Sequence, residues 1–330
     1  MKEETLDLIA CPSCRGELEL TEARRRGPDI WSGSLRCPSC GASYPVREGI
    51  PRLVAWPGGG PGRLYRAALA YYDAYAPHAD RNYHNPRMAY MREVEDRYIL
   101  LTRPGGRVLD IGCGTGRQAL LLAELGCHVY ALDISVGMLL LARSKARDRD
   151  LADRIEFIQA RADALPFRPG VFDRAYSIFG AFNHAPRWRD GLRQVHEVLR
   201  ARGAFLMTVL NRLQLTWWLD ALRKRHSRGL RTRIASDLCY IKVRVKGRKK
   251  KLKLWTKLFT PRELREALSE AGFREIRIGS ILLFLRPKFT YSPSTELSGP
   301  ELFLASLEDK VRWLPPFSYL GAYLMALALK

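Results

Sequence analysis

Residues 107–116 read Arg107-Val108-Leu109-Asp110-Ile111-Gly112-Cys113-Gly114-Thr115-Gly116. An apolar run suited to a strand buried on both faces gives way to three glycines alternating with small residues, and from Gln118 to Leu125 the apolar positions recur at helical spacing. The stretch predicts strand, tight turn, helix. Lacking Cβ atoms at alternate positions, such a turn lets backbone N–H groups approach a ligand at the carboxyl end of a strand, where open α/β sheets bind their ligands. The Gly-x-Gly-x-Gly spacing, with Asp110 just ahead of it, departs from the Gly-x-Gly-x-x-Gly of dinucleotide sites. A carboxylate at that point repels a pyrophosphate and attracts a cation, such as an ammonium or a sulfonium.

Two further strand ends carry acids. The β-prone run Cys127 to Leu132 is closed by Asp133, roughly where an acid accepts hydrogen bonds from ribose hydroxyls. After a third strand, Ile155 to Ala160, comes Ala162-Asp163-Ala164-Leu165-Pro166-Phe167. A fourth strand, Phe172 to Ile178, leads into Phe179-Gly180-Ala181-Phe182-Asn183-His184-Ala185-Pro186. Asn183 and His184 are the polar side chains of that loop, and a histidine titrates near neutral pH, so the pair is the candidate for positioning or deprotonating a substrate. The competing reading is that they hydrogen-bond the loop to itself.

These motifs, in this order, resemble the class I S-adenosylmethionine-dependent methyltransferases over about Tyr71 to Leu210. Within them the chain is most similar to the branch holding the ubiquinone and menaquinone C-methyltransferases. The resemblance implies an α/β fold, a Rossmann-like seven-stranded methyltransferase sheet. It implies that Asp110, Gly112, Gly114 and Gly116 hold the methionine moiety of S-adenosyl-L-methionine, that Asp133 holds the ribose and Asp163 with Ala164 the adenine, and that Ile134 and Met138 also bind the cofactor. It also implies that Tyr71, Tyr72 and Tyr75 lie in a region that caps the cofactor. The Asn-Pro-Pro-Tyr motif of amino-group methyltransferases is absent, which disfavours exocyclic amines as acceptors.

At 330 residues the chain has room for about two domains. Cys11-Pro12-Ser13-Cys14 and Cys37-Pro38-Ser39-Cys40 are two knuckles 22 residues apart, and four thiolates of that kind close a structural Zn2+ site with no open position. A thioredoxin-like redox pair is excluded by context, since nothing beside either knuckle reads as a βαβ unit. The spacer from Thr21 to Gly33 reads as an exposed hairpin. A small N-terminal zinc-ribbon domain is thus expected over residues 1–54, folded largely by its metal. It resembles the small zinc-binding activators that partner methyltransferases of tRNA, rRNA and release factors. Residues 55–63, rich in Pro and Gly, are the expected linker. The methyltransferase domain follows over 64–330, with a basic insert at 212–258 and a substrate-side excursion at 288–316.

Charge sharpens the question of the acceptor. The chain carries a formal +21, and Leu222 to Leu258 contain fifteen Lys or Arg against the single acid Asp237. Charge of that density draws polyanions. Ile241 to Lys246 and Lys251 to Trp255 alternate basic with apolar, so a two-stranded ribbon is expected, turning through Gly247 to Lys250. Arg223, Lys224, Arg225, Arg228, Arg231 and Arg233 precede it. The ribbon can track a phosphate backbone, dock on anionic lipid, or serve as a substrate lid. An RNA acceptor is the expectation on this reading, a quinone-like or lipid-linked small molecule at an anionic membrane surface the alternative. A non-catalytic cofactor-binding scaffold is the third, disfavoured by the intact set of three acids. With no apolar run of roughly 18 residues and no apolar leader, a cytoplasmic chain without a transmembrane segment is expected.

Overall fold

The structure is a computed structural model that describes residues 1–56, 62–216, 219, 238–245 and 248–330; within 238–245 and 248–253 it describes the backbone alone. Residues 57–61 of the Pro/Gly stretch, and the basic run from Arg223 to Arg233, lie outside the described residues.

Four strands build the amino-terminal module: β1 (Glu19–Arg26), β2 (Asp29–Arg36), β3 (Ser43–Arg47) and β4 (Ile50–Pro51), in one antiparallel sheet of that order. The β1–β2 hairpin is the exposed excursion between the knuckles, turning at Gly27 with φ +61°. The module shares its apolar core with the rest of the chain: Ile9, Leu35 and Leu53 belong to the same buried cluster as Tyr130, Phe167 and Phe172. Backbone hydrogen bonds join them, Ala10 N–H to the Pro166 carbonyl at 3.0 Å and Arg168 N–H to that of Leu8 at 2.8 Å.

The remaining chain forms the helices α1 (Arg63–Tyr75), α2 (Ala79–Asn82) and α3 (Pro86–Leu101), then a strand–helix alternation: β5 (Arg107–Ile111), α4 (Arg117–Glu124), β6 (His128–Asp133), α5 (Val136–Arg147), β7 (Ile155–Gln159), β8 (Phe172–Ser177), α6 (Trp188–Val198) and β9 (Leu199–Leu210). After the ribbon strands β10 (Leu238–Val245) and β11 (Arg248–Trp255) come α7 (Pro261–Glu270), β12 (Arg274–Ile281), α8 (Gly299–Val311) and β13 (Tyr323–Leu329). Local chemistry sets the helix starts. Asn85, Ser135 and Thr260 each accept a hydrogen bond from the backbone N–H three residues on, and proline stands at the first helical position of α3 and α7.

The seven-stranded sheet has the order β12-β13-β9-β8-β5-β6-β7, with β5 to β9 parallel and β12 and β13 antiparallel. From β5 the chain moves one way to β6 and β7, then returns across to β8 and β9, so the topological switch lies between β5 and β8. Side-by-side carboxyl ends there open a crevice. At the far edge, Arg52 bridges to Gln159 of β7, so the amino-terminal module covers a strand edge that would otherwise be bare.

The ribbon's turn is tighter than its sequence suggested. Val245 pairs with Arg248 and Arg244 with Lys249, so Arg248 to Lys250 belong to β11 and the connection is the two residues 246–247. The ribbon runs alongside α1. The 288–316 stretch contains α8, anchored by Glu308, which accepts from the backbone N–H of Leu282 and Leu283 at 2.9 and 2.7 Å, and by buried Arg312, which donates to the Ser280 carbonyl and Tyr90 Oη. Among the described residues no helix is long and apolar enough to cross a membrane.

Candidate functional site

The crevice at the switch point is a cavity of about 550 Å³. Its floor is the turn after β5, its walls are the ends of β6, β7 and β8, and its roof is α1 with Tyr83 and Phe289. Of the predicted residues, Gly112, Gly114, Asp133, Ile134, Met138, Asp163, Asn183 and His184 all line it.

Asp110, Gly116 and Ala164 are not at its surface. Asp110 is buried two residues before Gly112, with Oδ2 lacking any hydrogen-bond partner, and burial beside Asp133 raises its pKa to about 7. An orphaned, shielded carboxylate oxygen costs free energy unless something positive approaches. Gly116 has φ +84°, and a Cβ there would meet Ala142 Cβ at 2.7 Å, so this glycine lets α4 pack against α5. Gly114, with φ +53° and open space where its Cβ would be, leaves room on the cavity side. Ala164 is held in a bridge with Arg161, and its neighbour Ala162 lines the cavity instead.

Asp133 holds the floor together. It accepts from Gly114 N–H at 3.0 Å and Ser135 N–H at 2.8 Å, and burial raises its pKa to about 6. Each carboxylate oxygen keeps a second lone pair for a ligand hydroxyl. Asp163 is more heavily engaged. Arg161 Nε donates to it at 2.8 Å, Tyr65 Oη at 2.6 Å and the Arg187 backbone N–H at 3.0 Å, while the Arg161 guanidinium lies 4.3 Å from the Tyr65 ring centre.

Asn183 turns out to be fully bonded. Its amide donates to the Lys257 carbonyl and accepts from Leu210 N–H at 3.1 Å, and its own carbonyl accepts from Lys257 N–H at 2.7 Å. It ties the β8 loop to β9 and to the segment leaving β11. His184 Nδ1 lies 3.0 Å from the Trp255 carbonyl, so Nδ1 carries the proton and Nε2 is left as a bare acceptor. Burial depresses the His184 pKa to about 4, so the ring is neutral at physiological pH.

Sequence reasoning missed much of the opposite wall. Tyr83 packs edge-on against Phe179 at 4.8 Å, Phe179 stacks on Tyr323 at 5.6 Å, and Tyr72 meets His184 edge-on at 5.6 Å. Tyr71 and Tyr75, flagged from sequence as a cap, stack 5.5 Å apart in the roof. Arg92 and Glu95 of α3 also reach the cavity. One signal could have found Glu95. It sits four residues after Met91 and four before Ile99, both fully buried, so the buried stripe of α3 is interrupted by an acid.

The four knuckle cysteines converge. Their sulfurs all lie within 4.8 Å of one another, with Cys14 and Cys37 at 3.5 Å and Cys11 and Cys40 at 3.7 Å. A tetrahedron of zinc–sulfur bonds near 2.3 Å has edges of about 3.8 Å, so the set fits a zinc ion with no open position for chemistry. The space at Gly114 and the hydroxyl-accepting Asp133 in the cavity, with the orphaned Asp110 oxygen behind its floor, fit a cationic, ribose-bearing ligand.

Comparison with known proteins agrees. Residues 108–203 match the methyltransferase domain family, and residues 2–49 match the Trm112p-like protein family. An uncharacterized protein of Methanocaldococcus jannaschii is 34% identical over 207 residues, 62% of this chain and 76% of that one. The ubiquinone/menaquinone biosynthesis C-methyltransferase of Brucella anthropi is 36% identical over 116 residues, and there the chain spans only 44% of the relative's length and 34% of its own. Among solved structures, the DhpI complex with SAM and HEP aligns at TM-score 0.51 with 18% identity, covering 82% of this chain and 99% of that one. Phosphoethanolamine N-methyltransferase 2 of Haemonchus contortus aligns at 0.50 with 17% identity, covering 85% and 61%. These last two are likenesses of fold.

Proposed function

The chain belongs to the class I S-adenosylmethionine-dependent methyltransferases, and from that premise we propose that it transfers the methyl group to a small, largely apolar, ring-bearing acceptor. The donor's methyl carbon is already activated by its sulfonium, so the work of the protein is to hold nucleophile, carbon and sulfur in line, an effect that can account for roughly 7 to 11 kcal/mol of barrier. Asp110, Asp133 and the glycine turn hold the donor in this reading; Asn183 braces the loop that faces the acceptor, and His184 offers it an uncharged edge.

One observation carries the choice of acceptor. The space beyond the glycine turn is walled by Tyr72, Tyr83, Phe179, Phe289 and Tyr323, a lining of aromatic faces suited to a flat apolar ring. The quinone C-methyltransferase of B. anthropi, similar over the core, supports an acceptor of that shape. Charge by itself does not choose between RNA and a small acceptor. The fourteen-charge excess of 222–258 equally suits docking on anionic lipid, where an apolar acceptor would be stored.

Incubating the protein with methyl-labelled donor and whole-cell extract tests this. Label is expected in the solvent-extractable fraction. Label in the RNase-sensitive fraction instead, with activity lost steeply as salt rises, would reverse the choice.

A further inference from the structure

Glu95 is an ionisable group inside the cavity that neither the donor site nor the zinc site uses. It is 1% exposed and lines the acceptor side. Its Oε1 accepts from Thr208 Oγ1 at 3.0 Å, and Thr208 Oγ1 in turn accepts from Phe179 N–H at 2.7 Å. This chain fixes the carboxyl group against the strand end that carries the aromatic wall. Oε2 has no hydrogen-bond partner among the described residues. A buried carboxylate oxygen left open to a cavity costs free energy that a ligand's O–H would recover.

We propose that Glu95 recognises the acceptor by accepting a hydrogen bond from a ring hydroxyl, and takes that hydroxyl's proton as the methyl group arrives. The acceptor class is therefore a hydroxylated aromatic or enol ring. This rests on the small, ring-bearing acceptor of the preceding section and narrows it. Glu95 accepts the proton as the O–H bond breaks; the oxygen forms its bond to the methyl carbon while the carbon–sulfur bond breaks, its electron pair remaining on sulfur. The sulfonium's positive charge leaves as the proton on Glu95, which passes to water.

His184 Nε2 is the rival acceptor. Burial holds its pKa near 4, whereas burial raises that of Glu95 to about 7, so Glu95 is the stronger base and is matched to neutral pH. The charged and titratable groups facing Glu95 are Arg92 and Asp96 on its own helix, Arg117 at the start of α4 and Tyr323 of β13. The two arginines oppose the burial effect without cancelling it.

The test compares 2-naphthol with 2-methoxynaphthalene, the same ring with and without the O–H, as ligands of the protein saturated with S-adenosylhomocysteine. In the unaltered protein the naphthol is expected to bind at least tenfold more tightly. In Glu95→Gln the ratio falls below about threefold while S-adenosylhomocysteine affinity stays within twofold, which also shows that the variant is folded. On the unaltered protein the ratio falls as pH is lowered from 8 to 5, an independent readout that needs no variant. Equal binding of the two compounds by the unaltered protein, or a ratio that persists in Glu95→Gln, overturns the role of Glu95 and leaves the small-acceptor reading standing. Binding of neither compound overturns both.

Discussion

The two halves of the cavity are built in opposite ways. On the side of the glycine turn, Gly112, Gly114, Asp133, Ile134 and Met138 come from two consecutive strand–turn–helix units, and their positions follow from backbone geometry within a few residues of each motif. The aromatic side draws Tyr72, Tyr83, Glu95, Phe179, Phe289 and Tyr323 from across more than two hundred and fifty positions of chain. Of these, Tyr72 and Phe179 lie in stretches that the sequence singled out; the other four carry no local motif. The first half is a ligand grip that any fold of this class can carry; the second is an assembly that only this chain's helices and loops produce.

If the halves are separable, substitutions on one should leave the other untouched. The largest effect is expected from Asp133→Ala, which removes the acceptor of the Gly114 and Ser135 N–H bonds as well as the ribose partner. Donor affinity should fall at least 100-fold, on the order of 3 kcal/mol, by calorimetry with S-adenosylmethionine. A loss below threefold would sink the donor assignment.

Acidity gives the next effect. Asp110 and Asp133 are held above the usual carboxylate range, to about 7 and about 6, chiefly by burial. An acid whose folded pKa exceeds its unfolded one binds more protons when folded, so stability is full at low pH and is lost as pH rises from about 4 to 7. The donor-free protein should therefore melt at progressively lower temperature across that window. The bound cation favours the ionised forms, so donor affinity should rise about tenfold from pH 5.5 to 8. Affinity independent of pH would mean that the two acids do not face the donor's charge.

Phe289→Ala comes third. The ring is half-exposed at the roof, so its loss should spare the fold, raise acceptor KM about fivefold and leave donor affinity within twofold. Equal losses on both sides would show that the cavity is one unit. His184→Gln should do least. Because the ring is already neutral, turnover should fall only a few-fold and the pH profile between 5 and 8 should keep its shape. A lost limb in that profile would return the proton to His184.

A contrast of the same kind runs through the zinc module. The paired knuckles predict four converging sulfurs from spacing alone, and the sulfurs do converge. Nothing in the spacing tells that Arg15, one residue past Cys14, donates to the Leu165 and Phe167 carbonyls at 2.6 and 2.8 Å and so holds the loop after Asp163. Asn183 illustrates the limit from the other direction. Its residue type and loop suggested contact with a substrate, but both ends of its amide are taken by backbone groups of Leu210 and Lys257, the second of them 74 positions away. A polar side chain in a loop has many local partners to choose from, and only the folded neighbourhood decides among them.

From the sequence by itself came the strand–glycine–helix turn, the three acids at strand ends and the thiolate cluster. Each depends on interactions within a few residues or on the rigid alternation of a strand, which a linear pattern records directly. The tertiary structure alone decided which aromatic rings wall the cavity, that Asp110 lies behind the turn with an oxygen unsatisfied, and that an acid from the buried stripe of α3 opens into the cavity. Those outcomes depend on how helices and loops far apart in the chain dock on one sheet end, where burial and partner geometry outweigh local preference.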